Sequence, residues 1–555
     1  MPDSIFLGVA WPYANGHLHI GHIAGAYLPA DIFARYHRLR GDRVLMVSGS
    51  DAHGTPVTVR AEQEGRTPSE VVAEFQESFL DTWKRLGISF DLFTSTATPN
   101  HTRVTHDLFN RLLAKDYIYP GTMNLPYCPV DLRFLVDRYV EGTCPNCGYP
   151  QARGDQCDNC GHTLDPIDLI DPRCKFCGTR PEIRASDVLY FRLSAFSEAL
   201  RDWLTPKTAY WRKGVVNESL GFVREGLKDS AITREISWGV SVPLEGWESK
   251  RIYVWFEACM GYLSASIEWA EQQGMPEAWR DFWEDPACRT YYFVGKDNIT
   301  FHTIRWPATL LGYGDLNLPF DVPANQYATL EGQQMSTSRN WAVWMPDYLD
   351  RYDPDPLRYY LASSMPESSD MDFTWREYVR RNNDELVATW GNLVNRVLSL
   401  THRNFDGRVP DPGELTDRDR QLVASGERAL AEVGAEIGGC RFRSGVSRAM
   451  AMAQEANRYL DETAPWKTIR EDRPAAARSL YTALAAIDSL NVAFAPFLPF
   501  SSERLYSLLH GEGSINASGW RSELPRPGQI LGEPKPLFVK LDPSVAEEEE
   551  RRLGA

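Results

Sequence analysis

The 555-residue chain contains no uncharged apolar run long enough to cross a bilayer, which takes about 20 residues. Its start, Met1-Pro2-Asp3-Ser4-Ile5, lacks the basic stretch and apolar segment of a secretory signal, so no membrane association and a cytoplasmic location are expected. Positive charge is also short: 59 Lys and Arg stand against 75 Asp and Glu, a formal net charge of -16. Bulk affinity for phosphates comes from Lys and Arg, so a general nucleic-acid coat is excluded and any RNA contact must be local. Internal repeats are absent. The composition, 43% hydrophobic and 24% charged, is that of a packed protein rather than a disordered one. One hydrophobic core supports about 250 to 300 residues, so several domains are expected.

What is present opens as an α/β protein. Ile5 to Val9 is a short apolar run, Tyr13-Ala14-Asn15-Gly16 has turn chemistry, and Arg43 to Ser48 is a second apolar run, the pattern of a parallel sheet. Between Gly121 and Gly178 periodicity gives way to Cys, Gly, Pro and Asp, which predicts a small insertion held by metal rather than by a core. Strand-like runs return at Arg251 to Phe256 and Thr290 to Val294, so the insertion interrupts the sheet. Beyond about Glu377 the pattern is helical: Leu480, Leu484, Ile487, Leu490 and Phe494 fall on one face of a bundle helix. Glu547 to Glu550 read as a solvated tail.

Six of the ten cysteines form three Cys-x-x-Cys pairs between 144 and 177, and in a cytoplasmic protein that pattern binds metal rather than forming disulfides. Cys144, Cys147, Cys157 and Cys160 offer four thiolates at a spacing that closes a tetrahedral Zn2+ shell. Four protein ligands leave no open position, so this zinc is structural. Cys174 and Cys177 can join Cys128 and Asp131. Three thiolates and a carboxylate can hold a second zinc, and a knuckle that has lost its metal is the alternative.

His19-Ile20-Gly21-His22 follows the first strand and opens a helix. Imidazoles and a Gly at a helix start predict an anion site, with free backbone N–H groups pointing outward and Gly admitting a phosphate. The imidazoles can donate to phosphate charge that rises in a transition state. Histidines at an ordinary turn are the alternative for so short a motif, and context decides. Trp11-Pro12-Tyr13-Ala14-Asn15-Gly16, His19 to His22, and Ser50-Asp51-Ala52-His53-Gly54-Thr55-Pro56 resemble the methionyl-tRNA synthetase family in order and spacing. Tyr253-Val254-Trp255, Gly295-Lys296-Asp297-Asn298, Phe301-His302 and Trp306-Pro307-Ala308 continue the resemblance, which covers nearly the whole chain.

The resemblance implies a class I aminoacyl-tRNA synthetase. Its fold would be α/β, a Rossmann-type parallel-sheet catalytic domain with an inserted zinc-binding domain and a C-terminal α-helical anticodon-binding bundle. Residues 1–117 and 250–325 would form the two catalytic halves and 118–249 the insertion. Residues 326–385 would form a stem-contact region with the second signature loop, 386–540 the bundle and 541–555 a tail. The implied monomer activates L-methionine with ATP and Mg2+ to methionyl-adenylate and transfers it to the 3' end of methionine tRNA. His19, Gly21 and His22 are implied to contact the phosphates, Gly295 and Asp297 the adenosine, and Ser336 and Ser338 the nucleotide. Lys296 stays open between a phosphate contact and a surface charge. Tyr13, Trp255, Ala258, Tyr262, Phe301, His302 and Trp306 are implied to line the methionine pocket, aromatic walls that suit a soft sulfur. Asp51 is implied to pair with the α-ammonium. Asn392, Arg396 and Trp466 are implied to read the anticodon; Arg and Asn supply hydrogen bonds, and Trp a stacking face, for unpaired bases.

The second class I signature, Lys-Met-Ser-Lys-Ser in the family, stands here as Gln334-Met335-Ser336-Thr337-Ser338, followed by Arg339. Neither an amide nor a hydroxyl replaces a cation at a leaving pyrophosphate, so Arg339 is the candidate catalytic substitute. Two functions stay in view: the ligase, and a paralogue with weakened activation acting as an RNA-binding or regulatory protein. A synthetase for a branched amino acid would need a large editing insertion, and none is visible.

Overall fold

The computed structural model describes residues 2–554 apart from 158, 161, 163, 337 and 338. The first apolar run forms the strand Ser4–Val9 inside a four-stranded parallel sheet. Across the sheet the order is Arg289–Phe293, Ser4–Val9, Arg43–Ser50, Leu92–Ser95, with Val9 opposite Phe293 and Gly8 opposite Val47. Strands covered on both faces read as continuous apolar runs, which is how all but the short Leu92–Ser95 were legible. The chain builds outward from Ser4–Val9 on one side and returns to its other side only at Arg289–Phe293. That reversal is a switch point, and ligands of such sheets bind beyond the carboxyl edge there. Residues 10–22, 51–54 and 294–298 all leave the sheet at that edge.

The helix after the first strand runs from Ile20 through Leu39, with its turns widened over Ile23–Tyr27. Similar widened turns occur at Phe301–Arg305 and Asn382–Gly391. Each adjoins expected site residues, a common placement for such bulges.

The insertion is a long antiparallel ladder, Ile118–Cys128 against Glu182–Phe191, with the cysteine knuckles at its far end. The cysteine sets do not stand alone there: Leu135, Val136, Tyr139 and Val140 pack with Cys128, Cys144, Cys157 and Cys174 into a small core of their own. Its helices Ser197–Leu204 and Lys213–Arg224 share a core with Phe6 and Leu45 of the parallel sheet.

Arg251 to Phe256 departs from expectation. Only Arg251–Ile252 is a strand, paired with Thr233–Arg234, and Val254–Glu257 is a helix turn. A short apolar run buried on all sides has no period by which to tell strand from helix.

The C-terminal part is a bundle of Asp417–Gly438, Phe442–Thr463 and Arg473–Phe494, and the expected face of the last is buried. The tail is solvated only in part, at Glu547 and Glu548. Ser544–Glu550 is a helix packed on Trp375–Arg381. Glu549 is buried there and accepts from Arg351 at 2.9 Å and Tyr352 at 2.8 Å, so its charge is paired rather than hydrated. Beyond it, the Gly554 N–H reaches the Asn340 carbonyl at 3.1 Å.

Candidate active site and anticodon surface

At the start of the histidine helix the rings take the backbone donors for themselves. Gly21 N–H donates to His19 Nδ1 at 3.1 Å and His19 N–H to His22 Nδ1 at 3.2 Å. Ile20 N–H donates to the Val343 carbonyl and His22 N–H to that of His19. The expected phosphate cradle of free backbone N–H groups is therefore not what this segment presents. A neutral imidazole whose Nδ1 accepts must carry its proton on Nε2, so each ring offers an Nε2–H donor instead. Burial and the neighbouring His22 push His19 well below the ordinary imidazole range, and burial holds His22 down at about 4. The ring centroids are 3.9 Å apart. Gly21 serves packing: a Cβ there would come within 2.9 Å of the His19 ring and 3.2 Å of Met335.

That Met335 contact lays the second signature loop over the histidines. The loop is pinned at its neck, where Ser336 and Trp341 exchange backbone hydrogen bonds of 2.9 Å. The following residues are strapped to the histidine segment by Met345 N–H to the Leu18 carbonyl. Arg339 is exposed, its guanidinium 3.4 Å from the Gln334 carbonyl of its own loop. Thr337 and Ser338 lie outside the described residues, so the expected role of Ser338 has no structural description here. Across the switch point, Asp297 is exposed and accepts from the Tyr327 hydroxyl. Lys296, left open above, pairs with Asp370 at 3.1 Å and lies over the Tyr327 ring. Gly295 pairs with Asn325 through backbone bonding.

The expected methionine residues come together between these segments. Tyr13, Trp255, Ala258 and Phe301 are half-buried, while Tyr262, His302 and Trp306 are buried behind them. Trp255 Nε1–H donates to the Tyr13 hydroxyl at 2.8 Å, and the Trp255 and Phe301 rings meet edge to face. His302 Nδ1 lies 2.8 Å from the Asn298 carbonyl, which only accepts, so Nε2 is left to accept from the Tyr262 hydroxyl at 2.8 Å. Burial holds His302 down at about 4. Trp306 spends its N–H on Tyr292 and supports the wall from behind. Asp51 Oδ1 is buried with no hydrogen-bond partner among the described residues, an acceptor awaiting a donor. The sequence reading missed what holds this pocket. Trp238 Nε1–H binds the Ala52 carbonyl at 2.6 Å, and Glu257 sits between His53 and His101.

In the insertion, the ligand atoms of Cys144, Cys147, Cys157 and Cys160 all lie within 4.8 Å of one another, with Sγ pairs at 3.6 Å and 3.9 Å. A tetrahedron of thiolates around zinc has edges of about 3.8 Å, so the set fits the ion. Cys128, Asp131, Cys174 and Cys177 form a second set within the same limit. The cysteines are free of disulfides.

On the bundle side Arg396, from the helix Asn392–Phe405, lies 4.6 Å above the Trp466 ring and 3.2 Å from Asp461. Trp466 opens the helix Pro465–Glu471 after a left-handed turn at Ala464, which leaves the ring half-buried. Asn392 is exposed on the Arg396 helix.

A parallel sheet with a histidine pair at its switch point and a second signature loop laid over it defines a class I aminoacyl-tRNA synthetase. Residues 5–398 match the family described as tRNA synthetases class I (M), and residues 409–555 the anticodon binding domain of methionyl tRNA ligase. The methionine–tRNA ligase of Thermomicrobium roseum is 53% identical over 585 residues and that of Dehalococcoides mccartyi 57% over 554, each alignment covering 100% of both chains. Mycobacterium tuberculosis methionyl-tRNA synthetase in complex with methionyl-adenylate superposes with a TM-score of 0.80 at 26% identity, covering 96% of this chain and 99% of that one. The chain belongs to the methionyl-tRNA synthetase family.

Proposed function

We propose that the chain activates L-methionine with ATP and loads it onto the 3' end of methionine tRNA. One observation carries the reading: the histidine pair, the aromatic pocket and the open carboxylate oxygen of Asp51 converge at one sheet edge. The α-ammonium meets Asp51 and the side chain enters between Tyr13, Trp255, Ala258, Phe301 and the Tyr262–His302 floor, with Trp306 behind. Gly295 and Asp297 hold the adenosine, and Ser336 and Ser338 the nucleotide from the loop. The methionine carboxylate attacks the α-phosphorus in line and pyrophosphate leaves, positioning and charge stabilisation supplying the rate. ATP would carry Mg2+, which would spread the phosphate charge. The Nε2–H groups of His19 and His22 donate to the phosphates, and Arg339 brings the cation that the altered signature lacks elsewhere. Full-length relatives named as ligases favour this reading, and the comparisons give no support to the paralogue alternative.

ATP–pyrophosphate exchange with each amino acid in turn tests it: methionine alone should support exchange, and exchange with none, or with another amino acid in preference, overturns it. Asn392, Arg396 and Trp466 read the anticodon in this proposal. Both cysteine sets hold structural zinc, Asp131 supplying an oxygen ligand to the second, and metal analysis of the folded protein counts them. The enzyme is taken as a cytoplasmic monomer, which sedimentation checks; no described helix is long and apolar enough to cross a membrane.

A further inference from the structure

Glu257 is fully buried at the end of Val254–Glu257, next to Ala258 of the methionine pocket. Both its oxygens are held: the His53 Nδ1–H donates to Oε1 at 2.9 Å and the His101 Nε2–H to Oε2 at 2.5 Å. His101 is fixed in turn by the Ser264 hydroxyl, 3.0 Å from Nδ1. Asp51 stands two residues before His53 in the same segment, and its Oδ1 stays buried and unpartnered among the described residues. Two carboxylates thus share one dry region, the inner one clamped by imidazoles and the outer one open to the pocket. A buried carboxylate oxygen left bare is costly unless a proton or a cation meets it.

We propose that Glu257, clamped by His53 and His101, is a positioning residue that makes the pocket demand positive charge, setting a second carboxylate behind Asp51 so that its open oxygen accepts only a cation such as the α-ammonium of methionine. Burial alone would raise the Glu257 carboxyl, but the His101 and His53 imidazoles outweigh it and hold the group at about 2, so it keeps its charge. Burial and then that charge push Asp51 well above the usual carboxylate range. With Oδ1 buried and bare, the empty pocket has only a proton to offer Asp51, and in this proposal the arriving ammonium takes its place. The other titratable groups facing Asp51 are Tyr13 from the first loop and Cys259 and Tyr262 from the segment after Glu257. Desolvation pushes all three up, hence neutral, and the Arg305 guanidinium bears on Cys259.

This inference rests on methionine occupying the pocket, and two measurements separate the claims. Calorimetry of methionine binding to the wild-type chain, in buffers of different ionisation heat near neutral pH, should show net proton release. Methionine without its amine, 4-(methylthio)butanoate, should bind at least about a hundredfold more weakly and release none. In exchange kinetics Glu257→Gln should raise the methionine KM about tenfold at alkaline pH with kcat within about threefold. The acid limb of its kcat/KM profile should move down by about one pH unit. A Glu257 that only held the fold would lower the melting temperature and leave that limb in place. Wild-type binding without proton release, or an active variant with an unmoved acid limb, overturns the inference. If Glu257→Gln does not fold, the wild-type calorimetry decides, and a wild type that neither binds nor activates methionine overturns the functional reading and this inference together.

Discussion

The two signature segments around the nucleotide site are built in opposite ways. The histidine segment is over-determined: its backbone donors are spent on its own rings and on Val343, and each ring is left as a fixed Nε2–H donor. The loop that lies over it is tied at the neck by the Ser336–Trp341 pair, while Arg339 at its tip is exposed and turned onto its own backbone. A site that needs donors in place before chemistry and a cation only as pyrophosphate departs can use such a division. Under the proposed function the rigid half is preorganised and the charge arrives by loop movement.

The largest expected effect lies in the rigid half. His22→Ala removes the proposed phosphate donor and also frees the His19 backbone N–H that its ring now satisfies, so adenylate formation should slow by about two to three orders of magnitude. Stopped-flow or exchange kinetics check this, and a loss within about threefold would mean the pair is a structural cap rather than a phosphate contact. Trp466→Ala probes a region apart from both signatures. Stacking on an aromatic is worth about 1 to 3 kcal/mol per base, so tRNA charging should weaken about tenfold or more. Tested in parallel, exchange without tRNA should be unchanged; equal loss of both would assign the Trp466–Arg396 stack to stability.

The smallest effect is in pH dependence. His22 and His302 are held neutral, at about 4, against an ordinary imidazole value of about 6.5. The unfolded chain takes up protons that the folded one refuses in that window, so their contribution to stability is full above about 6.5 and is lost as pH falls toward 4. Denaturant unfolding at pH 7 and pH 5 should show the fall, and His302→Gln should make it shallower. An unchanged slope in that variant would place the imidazole in contact with solvent.

How much was legible follows from which interactions are local. Ser4–Val9, Arg43–Ser50 and Arg289–Phe293 showed as apolar runs because both faces are covered, whereas the short Leu92–Ser95 gave no such run, and the two cysteine sets showed because ligand spacing within a knuckle is short. Arg251 to Phe256 read as strand throughout because a short buried run has no period. The use of Nδ1 as a backbone cap at His19 and His22 removes the backbone part of the expected anion cradle and leaves only the side-chain donors, a loss only geometry shows. Glu257 meets His53 and His101 across 204 and 156 residues, and no local signal in the sequence announces such a pairing. The acidic tail misled for the same reason, since the partners of Glu549 are Arg351 and Tyr352, nearly two hundred residues earlier.

The division between a fixed donor pair and a moving cation is tested most directly by single-turnover adenylate formation in Arg339→Ala. A charged donor aimed at developing phosphate charge is worth about 3 kcal/mol, so the rate should drop about a hundredfold while the ATP and methionine affinities hold within about threefold. Thr337→Lys in the same chain should restore part of the rate, since it returns an ammonium to the loop. An Arg339→Ala enzyme that forms methionyl-adenylate at the parent rate would contradict the account.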